Sequence, residues 1–529
     1  MRRLVVLALS AISGACPAPP PSSASPSTSA PVPSSGPTSE VPGDHACVHR
    51  GSGVDYPVGP GQRFTSLRDV PFEDLQAGDT VRIHHRPEPY REKLMITGVG
   101  TAAQPIRVCG VPSASGARPV IEGADATTRP SLRFPFDGHQ VRGLVVIGWR
   151  GDTPFSNHPQ HIVVEGLELR GARKGNGFTD RSGARKEYAP NAAGVFVQRG
   201  SFITLRNNRV EGNGNGLFIG SAGGEELTRH VVVEDSHIVG NGYPTSEKEH
   251  NVYTEAFDVL YQRNVFGPPA RGSLSGSNIK DRSAGVVIRH NWIEDGAYLV
   301  DLCDVQETIS GDRARPIADP AVLARYRESH VYGNVFVRGP KPSAALVRYG
   351  GDSDLPERYR KGTLHFYSNT VVVENAAHPE WEGTNVFVLL TDDESLQSRN
   401  NLYFAEVGAT PSRPIGLVGS RDGAVRGRAS FAGDWVREGV AAIDPGKGAL
   451  LDVRATVSGF DAATRGVEPG FVDVRARDVG LSPSSPLRGK GVALPYPAEL
   501  LPAAQIDAAG RVRPRGADTL TTPGARAAE

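Results

Sequence analysis

"ITLRNNRV", residues 203–210, begins a phrase that returns through the middle of the chain. A run of alternating apolar and polar residues leads to Asn208, and an apolar residue, Val210, comes soon after. The phrase recurs as "VLYQRNVF" (Asn264), "VVIRHNWI" (Asn291), "HVYGNVFV" (Asn334), "LHFYSNTV" (Asn369) and "LQSRNNLY" (Asn400). "VVVEDSHI" places Ser236 in the same slot and "IVVEGLEL" places Gly166 there. The slots at 208, 236, 264 and 291 lie 28, 28 and 27 residues apart, and the later intervals are 43, 35 and 31. Short strand-bearing repeats with insertions of variable length mark a solenoid whose insertions leave from loops. A parallel β-helix fits. Its coils stack about 4.8 Å apart with apolar residues inward, and asparagine accepts left-handed backbone at a bend. A propeller would need more regular blades of about 40–45 residues.

Composition agrees with an all-β chain rich in turns: 62 glycines and 42 prolines among 529 residues. Lys+Arg and Asp+Glu both number 58, so no basic field exists to gather nucleic acid. "MRRLVVLALSAISGAC" (1–16) reads as a secretory signal: two arginines, a short apolar run, then small residues. It is too short to span a bilayer, and no other segment is apolar enough to do so. "SGAC" resembles a lipobox, with Ser13 where leucine is usual, which implies a lipid on Cys16 and an outer-membrane lipoprotein; plain secretion is the alternative. Residues 17–45 form a Pro/Ser-rich tether with nothing to bury. Cys47 and Cys109 are plausible disulfide partners in an oxidising compartment, leaving Cys303. Residues 46–130 read as N-terminal rungs and cap, 131–404 as the β-helix core, and 405–529 as C-terminal rungs, cap and flexible tail.

A second strand follows each asparagine slot: "GLFIG" (216–220), "HNVYT" (250–254), "NIKDR" (278–282), "YLVDLCD" (298–304) and "ALVRYGG" (345–351). Placing Ile219, Val252, Ile279, Val300 and Val347 inward sends Asn251, Tyr253, Asn278, Lys280, Asp301 and Arg348 outward. Tyr253, Lys280, Asp301 and Arg348 then form one column across four coils. Asp281 and Arg282 fall at the bend. Mixed charge on neighbouring strands also stabilises a plain sheet, so a structural reading stands beside the functional one.

Around this column, His250 beside Glu247 and Glu249 is a candidate base. Asn251, Asn278, Arg282, Tyr349 and Asp352 are candidate substrate contacts. Asp301, Asp304 and Asp352, with Glu307 and Asp354 nearby, are weak candidates to hold Ca²⁺ through oxygen ligands; no other cofactor is indicated. "TDDES" (391–395) raises the same question, while His84, His85 and Tyr90 read as an edge strand. "GNGNGLFIG" (212–220) lacks the helix a phosphate loop requires.

From about residue 55 to 515 the chain resembles secreted right-handed parallel β-helix proteins of the pectin-lyase-like superfamily. The resemblance is carried by "EHNVYTEA", "NIKDRSAGVVIRHNWIEDG", "VRYGGDSD" and "YRKGTLHFYSNTVVV". It implies an extracellular or cell-surface protein acting on a polysaccharide. The segment is also similar to the active coils of the chondroitinase-B and alginate-lyase group, which carry a strand Lys and, a coil later, a strand Arg. Lys280 matches the first. Asp301 stands where the Arg is expected, leaving Arg348 on the next coil as its substitute, and "SGSN" replaces the acidic pair that binds Ca²⁺. The expectation is an acidic-polysaccharide lyase acting by β-elimination. Two alternatives stay open: a glycoside hydrolase using paired carboxylates, and a non-catalytic glycan-binding or adhesin-like protein.

Overall fold

Each coil supplies one strand to each of three parallel sheets of 13, 11 and 11 strands. One coil illustrates the path. Gly200–Arg206 lies in the first sheet, Arg209–Glu211 in the second, Asn215–Ile219 in the third, and Thr228–Glu234 returns to the first. Every neighbour within these three sheets is therefore one coil away in sequence. The result is a right-handed parallel β-helix, the hand that strand–crossover–strand connections adopt. This computed structural model describes residues 46–502 apart from 135–139, 155, 221–227, 271–275, 307–316, 340–344, 375–383, 406–414, 421 and 445–451, together with the backbone of strands Ala504–Ile506 and Val512–Pro514. The leader, Cys16, the tether and Glu307 lie outside the described residues.

Alternation fills the core. In the first sheet Ile203 and Leu205 point inward, as do Val231 and Val233, Val259 and Tyr261, Val286 and Ile288, and Leu364 and Phe366, all buried in one continuous apolar cluster. Between the first and second sheets the chain turns on a left-handed residue followed by a buried polar one. Asn207, Asp235, Arg263, His290, Gly333, Ser368 and Asn400 all have φ between +52° and +65°. The next residue in each coil, Ser236 apart, is an asparagine whose side-chain amide extends into a ladder, and the Ser236 hydroxyl takes the same place. Asn264 donates its backbone N–H to Asn291 Oδ1 (2.9 Å), Asn291 to Asn334 (2.9 Å), Asn334 to Asn369 (3.0 Å) and Asn369 to Asn401 (2.9 Å). Unpaired, each such buried amide would cost about 1–3 kcal/mol.

Two slots differ from the sequence expectation. Asn401 occupies the ladder, and Asn400 is the left-handed residue before it. Likewise Gly166 (φ +71°) is the left-handed residue, and Leu167 holds the slot, donating its N–H to Asn208 Oδ1. Adjacent asparagines and a glycine-leucine pair fit either register in sequence, and the strand pairing decides between them.

The long interval between Asn291 and Asn334 contains a short helix, Pro320–Tyr326, whose first N–H groups donate to the Asp319 carboxylate. Cys47 and Cys109 form a disulfide that ties the first described residues to the first sheet. At the other end the chain folds back over the outer face of that sheet. Val492 and Asn400 exchange hydrogen bonds (2.7 Å each), and Tyr332 and Tyr367 donate their hydroxyls to the carbonyls of Glu499 and Leu500.

Candidate functional site

In the third sheet, four three-residue strands stack: Val252–Thr254, Ile279–Asp281, Val300–Leu302 and Val347–Tyr349. Their registers pair Tyr253 with Lys280, Lys280 with Asp301, and Asp301 with Arg348. Val252, Ile279, Val300 and Val347 form the inward column. On the N-terminal side the outward column continues with Phe218, not a charge, whose ring stacks on Tyr253 at 5.0 Å; on the other side it reaches Val388. Leu217, not Ile219, is the residue level with Val252.

The charges on this wall are not spread over an open surface. The turn after Val347–Tyr349 and the segment after Val300–Leu302 fold over them. Asp301 is 1% exposed and Arg348 is buried with it, while Lys280 and Tyr253 keep partial access. Arg348 grips Asp301 through Nε to Oδ1 and Nη2 to Oδ2, both 2.6 Å, and lies over the Tyr298 ring at 4.4 Å. The Cys303 thiol donates to Asp301 Oδ1 at 2.9 Å. Three cations then converge on one carboxylate, that of Asp352. Lys280 Nζ is 2.5 Å away, Arg282 Nη2 lies at 2.8 and 3.0 Å from its two oxygens, and Arg348 Nη2 is 3.6 Å distant. Arg282 also donates Nε–H to the Tyr253 hydroxyl at 3.0 Å, and that hydroxyl donates to Gln306 Oε1 at 3.3 Å. Asp352 is fixed in turn, because Asp304 Oδ1 accepts its backbone N–H at 2.8 Å.

Burial alone would raise Asp301, but Arg348 and Lys280 outweigh it and hold its pKa at about 2. Asp352 is lowered further: burial is overcome by Arg282 and Lys280. Burial opposes the charge on Lys280, yet its pKa ends above normal, because the Cys303 thiolate that forms at high pH and the Asp301 carboxylate favour the ammonium. Burial pushes the Cys303 thiol up to about 12. Desolvation raises Tyr253, with Arg282 opposing it.

Several candidates sit elsewhere. Asn251 and Asn278 are fully buried and face no groove. They extend a second ladder at the bend before the third sheet, in which Asn213 donates to Asn241, Asn241 to Asn251 and Asn251 to Asn278. Tyr349 points into the core, its hydroxyl donating to Arg327 O. His250 is buried, and its Nδ1 accepts the Ser277 N–H at 3.0 Å. Burial, with Lys280, depresses its pKa well below normal. The neutral ring then carries its proton on Nε2, which excludes a base at that nitrogen. Arg282 and Asp281, expected at the bend, are buried and paired with counter-charges. Asp281 faces inward, accepting from Tyr261 and Ser283 with Arg360 Nη2 at 3.6 Å.

Asp301, Asp304 and Asp352 do not fit a calcium cradle of six to eight free oxygen ligands. Their oxygens are committed to Arg348, Lys280, Arg282 and the N–H groups of Asp352 and Ser353. Cys303 is the participant that sequence reasoning missed. Its signal was present, since it stands two residues after Asp301 and alternation puts both on one face.

No family model matches the chain, and no curated protein matches it. Among solved structures it is similar to pectate lyase Pel9A (12% identity, TM-score 0.36, covering 86% of this chain and 96% of that one). It is also similar to a GH136 lacto-N-biosidase from Eubacterium ramulus (13%, 0.37, 78% and 68%) and an alginate lyase from Paenibacillus sp. str. FPU-7 (12%, 0.33, 72% and 94%). Likeness at this level carries no argument about the reaction. In architecture, read from its own ladders, the chain is a right-handed parallel β-helix.

Proposed function

We propose that the protein is an extracellular carbohydrate-active β-helix that binds an acidic polysaccharide at the Tyr253–Lys280–Asp301–Arg348 column and cleaves it by β-elimination. The observation that carries this reading is the convergence of Lys280, Arg282 and Arg348 on a single carboxylate position beside the Tyr253 hydroxyl. β-Elimination needs that pairing. The uronate carboxylate must be neutralised before its α-proton can leave, and a second group moves the proton. Lys280, held charged by its carboxylate neighbours, serves as a neutralising cation. Tyr253 enters as the phenolate, the form that Arg282 Nε–H favours against burial, and takes the C5 proton: the C5–H bond breaks, the C4–C5 double bond forms, the C4–O bond breaks, and the departing oxygen receives that proton from the tyrosine.

A hydrolase would need one carboxyl kept protonated as general acid. Asp301 and Asp352 are both held well below the usual carboxylate range, which speaks against the pair in that role. An oxidising compartment suits the Cys47–Cys109 disulfide, in keeping with a secreted or lipid-anchored chain; the mass of the mature N-terminus tests lipidation at Cys16.

A panel of uronate and neutral polymers decides the reaction. Unsaturated ends absorbing in the near ultraviolet are expected, with Tyr253→Phe and Lys280→Met each lowering turnover at least about 100-fold. New reducing ends without that absorbance would make the protein a hydrolase. Binding without shortening of any polymer would make it a recognition module.

A further inference from the structure

On the outer face of the first sheet, away from the charged column, two histidines meet across neighbouring coils. Strands Glu328–Tyr332 and Thr363–Tyr367 pair in parallel with His330 opposite His365. Their imidazoles stack 4.5 Å apart with planes 9° from parallel. Glu328 stands two residues before His330, so alternation places it on the same face, and its carboxylate contacts His365 Nε2. One ligand atom from each of the three side chains lies within 4.8 Å of the others.

The surroundings favour a ligand. His330 Nδ1 is buried and has no hydrogen-bond partner. The other nitrogen of His365, Nδ1, lies 3.3 Å from the Tyr496 hydroxyl. Without an ion, Glu328 accepts from Nε2–H; an ion at Nε2 would shift the ring proton to Nδ1, where the Tyr496 oxygen is placed to accept it, the arrangement that orients metal-ligating imidazoles. Tyr496 also packs edge-on against both rings, at 5.4 and 5.7 Å. Glu328 is 52% exposed along its side chain, so an ion would have a path in and a position left for water.

We propose that Glu328, His330 and His365 bind a divalent first-row transition ion, with Zn²⁺ the ion best matched to two imidazoles and one carboxylate. Bound there, the ion joins two coils of the first sheet and, through Tyr496, the C-terminal segment that crosses it. The nitrogen ligands select against Ca²⁺ and Mg²⁺.

The test is calorimetric titration of the chelator-stripped full chain with ZnCl₂, repeated with Co²⁺ to read the ligand-field spectrum of a nitrogen-ligated site. One ion per chain is expected. His330→Ala with His365→Ala should weaken binding at least about 100-fold, and Tyr496→Phe about 10-fold, as loss of an orienting hydrogen bond does. Glu328→Gln, at an exposed position, serves if the histidine variants fail to fold, and should weaken binding about 10-fold. Absence of stoichiometric uptake, or uptake unchanged in the folded variants, would overturn the assignment.

Discussion

Arg348 and Asp301 face each other on adjacent strands and share two parallel hydrogen bonds of 2.6 Å inside a wall almost closed to water. The pair lies on the outer side of the sheet, yet it is a buried ion pair in its energetics. Removing one partner leaves the other charge desolvated and unmatched.

Arg348→Met is therefore expected to destabilise the chain by about 3–5 kcal/mol, and the double variant Arg348→Met with Asp301→Leu by far less. Denaturant midpoints of the two variants check this. Asp301 adds an acid limb. Its pKa in the folded chain, about 2, lies below the ordinary 3.8, so its contribution is present at neutral pH and disappears as pH falls from about 4 towards 2. That contribution is about 2 kcal/mol.

Asp352 fills the position where three cations converge, and its removal should convert a neutralised network into an anion site. Asp352→Asn is expected to tighten binding of uronate oligomers about 10-fold, the direction like-charge removal gives, while lowering thermal stability. Titration with a uronate tetramer and with its neutral counterpart separates a carboxylate effect from a general one: only the acidic ligand should gain.

The fold was legible because the bend chemistry repeats. Asn264, Asn291, Asn334 and Asn369 each need a left-handed residue before them and a coil on either side, and that need shows as a period. The charged column was legible for a related reason, since Val252, Ile279, Val300 and Val347 leave only one register for the residues after them. Alternation failed where it was carried past the ends of three-residue strands. Asn251 and Asn278 precede the strands and belong to the bend, where the backbone turns their amides into a ladder. The closure of the site was illegible. Arg282 and Asp352 could be placed beside the column, but that they bond to each other and, through Tyr253, meet Gln306 depends on turns from separate coils that local sequence does not specify.

Cys47 and Cys109 are separated by 62 residues. Closing a loop of that length restricts the unfolded chain by about 4 kcal/mol in the entropic account. Cys47→Ser with Cys109→Ser should lower stability by about that amount. Protease sensitivity of the first coils, measured with and without reductant, should rise in the variant and in the reduced wild type alike.

The asparagine ladder ends on a carboxylate. Asp434 Oδ1 accepts from the Asn401 backbone N–H (2.7 Å) and Nδ2 (3.0 Å), while Oδ2 accepts from Ser398 (2.9 Å). Burial raises Asp434 to about 7 despite these donors, and raises Glu394, at another buried turn, to about 7 as well. A folded-state pKa above the unfolded one means that the folded chain holds the proton more tightly. The contribution is fully present below about pH 4 and is lost as pH rises towards 7. Asp434→Asn places in this slot the side chain that other coils use and removes the titration. The variant should match wild type near pH 4 and exceed it at pH 8 by up to about 4 kcal/mol, with a residual slope left by Glu394. Denaturant midpoints across that range give the answer. Equal slopes in the two proteins would mean that Asp434 is ionised in the fold and that these donors, with the Ala432 N–H at 3.2 Å from Oδ2, outweigh its burial.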